Sequence, residues 1–339
     1  MNRKFLAMAF SIVVLLIVPG ANLSAQSSDS CTSTFNYWFL SGPIPYGATC
    51  YEGLSFFFTP CTIPNAVCPP PDAKDEVCLA CQIAAATGGS PVNLATGNTY
   101  IQQTDLRIPG LGGGLSLART WNSKWPSSQS TFQVGLFGPN WRSTYEERVI
   151  LGLDNYIKYS RSDGSFWSFG YNGATWNVAA PANVSADLAE GTSYWTLTFQ
   201  NGEQRRFDNT TGNLIAIIDR NGNTTQLSYD SSGRLVTVTD AASRYLTFAY
   251  GSSSSHLVTS VTASVGPSLS YSYDTSGRLT QVTKPDSTTV SFAYNSQSLI
   301  TSVTDSNGHT LETHTYDSSA RGLTSSRAGG VEALTVTYP

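Results

Sequence analysis

The residues best suited to chemistry are six cysteines, Cys31, Cys50, Cys61, Cys68, Cys78 and Cys81, all in one short stretch. Cys78-Leu79-Ala80-Cys81 has the spacing of a redox pair or of half a zinc site. Redox use calls for a thioredoxin-like βαβ context, which the flanking residues do not show. Zinc needs a second ligand pair. His256, His309 and His314 lie far downstream, which leaves Cys61 and Cys68 as alternative thiolates. The preferred reading is structural: an even number of cysteines in an exported stretch forms up to three disulfides, with connectivity left open. Pro43, Pro45, Pro60, Pro64, Pro69, Pro70 and Pro71 make the same stretch loop-rich, so cross-links would stand in for a core.

Elsewhere the chemical inventory is thin. The three histidines sit in no motif and read as surface or edge residues. His309 and His314 are five residues apart, on opposite faces of a strand, which argues against a shared metal. Gly110-Leu111-Gly112-Gly113-Gly114 lacks the Lys-Ser/Thr of a phosphate loop and reads as a tight connection between strands. Glu146 and Glu147, taken as strand neighbours, point to opposite faces and cannot flank one glycosidic bond. No nucleophile has a partner base. The expectation is a protein that is not an enzyme and takes neither cofactor nor metal.

Bulk composition narrows the classes further. The 339 residues carry 19 basic and 23 acidic side chains, a formal charge of −4, and give no basic footprint for nucleic acid. Charged and aromatic residues each make up 12%, which fits half-buried strands and not disorder. Arg3 and Lys4, the apolar run from Phe5 to Val18, Pro19-Gly20 and Leu23-Ser24-Ala25 read as a secretory signal peptide cut between Ala25 and Gln26. The run is short for a membrane span, and no second membrane segment follows.

The elements that would position any site come from repetition. An aromatic recurs at Phe207, Tyr229, Tyr250, Tyr273, Tyr294, Tyr316 and Tyr338. Several copies are followed by Asp and then Gly: Asp208 with Gly212, Asp230 with Gly233, Asp274 with Gly277, and Asp317 in a degenerate copy. Asp accepts bonds from backbone two or three residues on, and Gly takes the left-handed conformation that closes the turn. A second turn falls half a period away, at Asp219-Arg220-Asn221-Gly222, Asp240-Ala241-Ala242-Ser243, Lys284-Pro285-Asp286-Ser287 and Asp305-Ser306-Asn307-Gly308. Each period is thus one hairpin, and hairpins that cannot bury their own apolar face must stack. Val290, Phe292 and Tyr294 share one face, as do Leu299, Thr301 and Val303. Val236 and Val238 have the opposite parity to Leu235, which implies a bulge or a register shift. The tyrosine rings read as sheet packing, with a carbohydrate-stacking ladder as the alternative.

Tyr229-Asp230-Ser231-Ser232-Gly233-Arg234-Leu235 and Tyr273-Asp274-Thr275-Ser276-Gly277-Arg278-Leu279 resemble the YD repeat of the bacterial RHS family. The stretch Pro91-Val92-Asn93-Leu94-Ala95-Thr96-Gly97-Asn98-Thr99-Tyr100, with Thr104-Asp105-Leu106, Leu115-Ser116-Leu117-Ala118-Arg119-Thr120-Trp121-Asn122-Ser123 and Gly138-Pro139-Asn140-Trp141-Arg142, resembles the all-β domain that precedes such repeats. Together the matches span residues 88–339. The division expected is a signal peptide at 1–25, a Cys/Pro-rich disulfide segment at 26–87, an all-β linker domain at 88–200 and hairpin repeats at 201–339. The fold class expected is all-β, with tandem β-hairpins forming a curved sheet or partial β-shell.

The resemblance implies a strip of hairpins spiralling into a hollow shell. In complete members the shell encloses a C-terminal toxic or variable domain, behind a plug that in some members cleaves itself by an aspartate-dependent step. This chain holds about six repeats and stops at Tyr338-Pro339, so it is expected to be the N-terminal part of a longer protein or a truncated product. The expected role is a secreted or cell-surface scaffold. The alternative is a module binding cell-envelope glycan or protein through exposed Tyr and Trp. A downstream chain continuing the shell is a further expected partner, and the end at Thr335-Val336-Thr337-Tyr338 is expected to self-associate or fray.

Overall fold

Short runs alternating apolar and hydroxyl residues, each broken by Asp, Asn or Gly, leave the backbone little alternative to strands. The computed structural model describes residues 87–88, 92–151, 156–181, 184–266 and 268–338, which lie in one compact unit. The six cysteines and the signal-peptide stretch fall outside the described residues, and so do the expectations placed on them.

Among the described residues, nineteen strands form one antiparallel meander from Arg148–Leu151 to Val331–Thr335, each paired with its neighbour in sequence. The sheet closes on itself early. Arg148 bridges to Asn213, the Val149 N–H donates to the Gly212 carbonyl at 3.0 Å, and Arg148 Nη2 donates to the Thr211 carbonyl at 2.8 Å. The strip thus meets its own edge at the turn that precedes the strand Leu214–Ile218 and continues beyond it.

Every repeat hairpin carries a bulge at its aromatic anchor, which decides the parity question. Ser228 pairs with Thr237, but Tyr229 pairs with Leu235, so Val236 is the extra residue. Leu235 and Val238 are both buried as a result, three positions apart instead of two. The same shift buries Val258 with Val261, Leu279 with Val282, and Ile300 with Val303. The expected grouping of Leu299, Thr301 and Val303 on one face is therefore corrected. Leu299 and Ile300 are both buried beside Val303, while Thr301 is half-buried on the far side of the bulge.

The inner face is filled from within the chain. Three strands, Tyr100–Ile108, Leu115–Asn122 and Trp141–Ser143, form a separate small sheet with Leu115–Asn122 in the middle. Its side chains, with Phe137 and Tyr145 from the segments flanking its third strand, interleave with those of the repeats. Phe137 packs on Tyr271 (centroids 4.7 Å), Trp141 on Phe292 (5.3 Å), Tyr145 on Phe248 (6.3 Å) and Trp121 on Tyr316 (6.4 Å). One continuous apolar cluster runs from Ile101 to Val303. Burial of a large side chain contributes about 1.5–3 kcal/mol, so this seam holds the two segments firmly. The outer face carries hydroxyl rungs such as Ser228 opposite Thr237 and Ser270 opposite Thr283.

Candidate functional site

The repeated turns build one local device several times. In the turn after Tyr229, Asp230 Oδ1 accepts from the backbone N–H of Ser232 (2.9 Å) and of Arg234 (3.0 Å), and Oδ2 accepts from Arg234 Nε (2.7 Å). Asp274 repeats this with Ser276 and Arg278, and Asp317 with Ser319 and Arg321. Asp208, in the longer first turn, takes Thr210 and Thr211 instead. Gly212, Gly233 and Gly277 have φ of 70°, 75° and 74°. Ala320 fills that position in the degenerate copy at φ 60°, so the turn tolerates a small side chain there. The Arg234 backbone bond, then its side chain, hold Asp230 below the usual carboxylate range. At Asp274 and Asp317 slight burial pulls the other way, and the same bonds outweigh it.

The arginine of each turn then reaches the next repeat. Arg234 lies over the Tyr250 ring (4.7 Å to the centroid), Arg278 over Tyr294 (5.0 Å) and Arg321 over Tyr338 (4.3 Å). The tyrosine hydroxyl closes the link by donating to a carbonyl at the previous bulge. Tyr229 donates to Leu214, Tyr250 to Leu235, Tyr273 to Val258, Tyr294 to Leu279, Tyr316 to Ile300 and Tyr338 to Gly322, all at 2.6–2.8 Å. Phe207, the first anchor, is fully buried and has no hydroxyl to offer. Burial pushes the Tyr294 phenol up to about 12, and it raises Tyr229, Tyr250, Tyr273 and Tyr316 further. With half-buried rings and inward hydroxyls, these anchors do not form an open stacking ladder for sugars.

A second network fixes the small sheet to the repeats. Arg119 pairs through Nε and Nη2 with Asp105, with 1% and 3% of their side chains exposed, and Tyr271 of the repeats donates to the same carboxylate at 2.9 Å. The guanidinium lies 4.7 Å from the Trp141 ring centroid and 5.4 Å from that of Phe137. Backbone bonds add further fastenings: Arg244 Nη1 to the Pro109 carbonyl (2.9 Å), the Val258 N–H to the Leu136 carbonyl (2.9 Å), the Gly322 N–H to the Gly97 carbonyl (2.8 Å) and Ser123 Oγ to the Ala320 carbonyl (2.9 Å).

Several sequence readings change here. Reading the turns from sequence accounted for Asp and Gly but gave the arginine no role. The buried role of Arg119 had a signal: Leu115, Leu117, Arg119 and Trp121 share parity on one strand, which puts a charge on the core face. His314 is buried, with Nδ1 3.1 Å from Ser325 Oγ, and is not a surface histidine; His309 is exposed beside Asp305. Glu146 and Glu147 precede the strand Arg148–Leu151 and do not lie on it. Glu147 accepts from Tyr159 (2.7 Å) and Arg205 (3.1 Å), and Glu146 from the Leu136 N–H (2.6 Å). The glycine run Gly110–Gly114 joins Tyr100–Ile108 to Leu115–Asn122, with positive φ at Gly112, Gly113 and Gly114. A cleft of about 350 Å³ borders it, lined by Asn201, Glu203, Asp219 and Arg220 among others. Among the described residues no three His, Cys, Asp or Glu side chains gather as a metal site, and no helix is long and apolar enough to cross a membrane.

Bulged hairpins clasped one to the next define a tandem hairpin-repeat scaffold. The RHS Repeat family matches residues 209–245, 253–289 and 273–310, and a domain of unknown function, DUF6531, matches residues 89–169. The chain carries RHS/YD repeats over the RHS-matched residues. It is 29% identical over 143 residues to the tRNA nuclease WapA of Bacillus subtilis strain 168, and equally to the tRNA3(Ser)-specific nuclease WapA of Bacillus spizizenii. The match covers 42% of this chain and only 6% of each relative. Among solved structures, TcdB2-TccC3 without its hypervariable C-terminal region aligns over 72% of this chain and 16% of its own, at 11% identity and a TM-score of 0.29. The Photorhabdus luminescens Tc holotoxin pore aligns over 68% and 14%, with a TM-score of 0.28.

Proposed function

We propose that this chain is an exported, non-catalytic wall segment of an RHS-type β-shell, with residues 92–148 sealing the inner face of its first turns. The observation that carries this reading is the double fastening. Each repeat is clasped to the next through Asp, Arg and Tyr, and the inner face is occupied by Trp121, Phe137, Trp141 and the Arg119–Asp105 pair. Such an arrangement resists deformation, which suits a wall. In a longer protein it would bound a compartment for a C-terminal toxin or variable domain. The nuclease activity named for the WapA relatives is not extended to this segment, since the shared stretch is a small fraction of their length. Export rests on the Arg3–Ala25 stretch.

Hydrogen exchange on the full chain tests the wall reading. Residues 100–145 and 207–316 are expected to open together, as one cooperative unit. Independent opening of the two segments would remove the seal. A second reading, binding of a cell-envelope glycan, is favoured by one feature: Tyr171 is 56% exposed and stands 5.2 Å from Trp176 on the same hairpin. A glycan array probed with the full chain, with Tyr171→Ala as the control, separates the readings.

A further inference from the structure

Four Asn-Gly dipeptides occupy turns, at Asn172-Gly173, Asn201-Gly202, Asn221-Gly222 and Asn307-Gly308. In three of them the glycine N–H is committed. Gly202 donates to the Phe199 carbonyl at 2.9 Å, Gly222 to Asp219 at 3.0 Å and Gly308 to Asp305 at 3.1 Å. The fourth turn is built differently. It joins Phe166–Tyr171 to Trp176–Ala180, and Asn172 opens it. The Gly173 N–H has no hydrogen-bond partner among the described residues, and the space around its Cα is open. The Asn172 side chain is held instead: Oδ1 accepts from the N–H of Ala174 (2.9 Å) and of Thr175 (2.8 Å), and Nδ2 donates to Thr175 Oγ1 (3.2 Å).

We propose that Asn172 is a self-modification site at which the chain converts its own carboxamide to a carboxylate. The Gly173 nitrogen attacks Asn172 Cγ, so that an N–Cγ bond forms and the Cγ–Nδ2 bond breaks. The proton lost from the Gly173 amide leaves with Nδ2 as ammonia. Water then opens the resulting cyclic imide on either side, giving aspartate or isoaspartate. No oxidant or cofactor takes part. Negative charge in the tetrahedral step collects on Oδ1, where the Ala174 and Thr175 N–H groups already point at hydrogen-bonding distance. The product places a carboxylate beside Tyr171 and, as isoaspartate, lengthens the hairpin tip by one backbone carbon.

The other three dipeptides serve as controls within the same molecule. Each must first break its glycine hydrogen bond, which slows attack by about tenfold. The folded full-length chain is held at mildly alkaline pH, digested, and each asparagine scored by mass spectrometry; a parallel sample is held unfolded in urea. Asn172 is expected to lead by about tenfold in the folded chain, and the four rates are expected to converge in urea, since each asparagine precedes glycine. If Asn221 or Asn307 keeps pace with Asn172 in the folded chain, or if the ratios are the same folded and unfolded, the proposal is overturned.

Discussion

The Tyr273 hydroxyl donates to the carbonyl of Val258, fifteen residues earlier, at 2.7 Å. Val258 stands at a bulge, where Tyr250 pairs with it out of step with the pairing of Ala249 and Ser260. The anchor of each repeat therefore satisfies backbone that the previous hairpin has displaced from its ladder.

Tyr273→Phe keeps the ring and removes the donor. The buried Val258 carbonyl is left without that bond, at a cost of about 1–3 kcal/mol. Denaturant unfolding of the variant against the parent checks it. A change within error would mean that water replaces the hydroxyl freely.

Alkali should unfold the chain in a narrow range. The phenols of Tyr229, Tyr250, Tyr273, Tyr294 and Tyr316 are all raised, chiefly by burial. The unfolded chain, with phenols ionising near an ordinary pKa of about 10, loses their protons first. Their contribution is complete below that pH and falls away as pH rises through the native values. The turn aspartates run the other way: Asp230, Asp274 and Asp317 are lowered, so their contribution is present above the ordinary carboxylate pKa and lost as pH falls. Phenolate absorbance followed together with circular dichroism should show ionisation and unfolding coinciding; phenols that titrate while the fold persists would contradict this.

Arg119→Met should destabilise by about 3–5 kcal/mol, because it strands the buried Asp105 carboxylate. Adding Asp105→Asn to the same chain should recover part of the loss, since the stranded charge is gone. The double variant measured beside both singles decides it. Additive losses would mean the pair is not coupled.

Gly233→Ala should cost about 1–2 kcal/mol, the penalty for an alanine in the left-handed region, since a Cβ there meets nothing and Ala320 and Ser243 already adopt the conformation. Gly212→Ala should cost clearly more. Its Cβ would collide with the Val149 carbonyl oxygen where the strip meets its own edge. Thermal melts of the two variants would expose an error if they came out equal.

Period, turns and strand content were legible in the sequence because the chemistry behind them is local. Asp230 and Gly233 lie three residues apart, and one hairpin satisfies both. The bulge was half legible, as the wrong parity of Val236 and Val238. The clasp was not, because Arg234 and Tyr250 are brought together only when the following strand lies down. Nor was the occupied inner face: Phe137 and Tyr271 meet across more than a hundred residues, and nothing in either neighbourhood names the other.

The fastenings between the small sheet and the strip fall at Pro109 with Arg244, Leu136 with Val258, and Gly97 with Gly322. They make the segment before the repeats a gauge. Duplicating or deleting one hairpin between Arg244 and Gly322 would leave every clasp chemically intact, yet it would slide one set of repeats past its mark. Copy number is thereby constrained between Arg244 and Gly322.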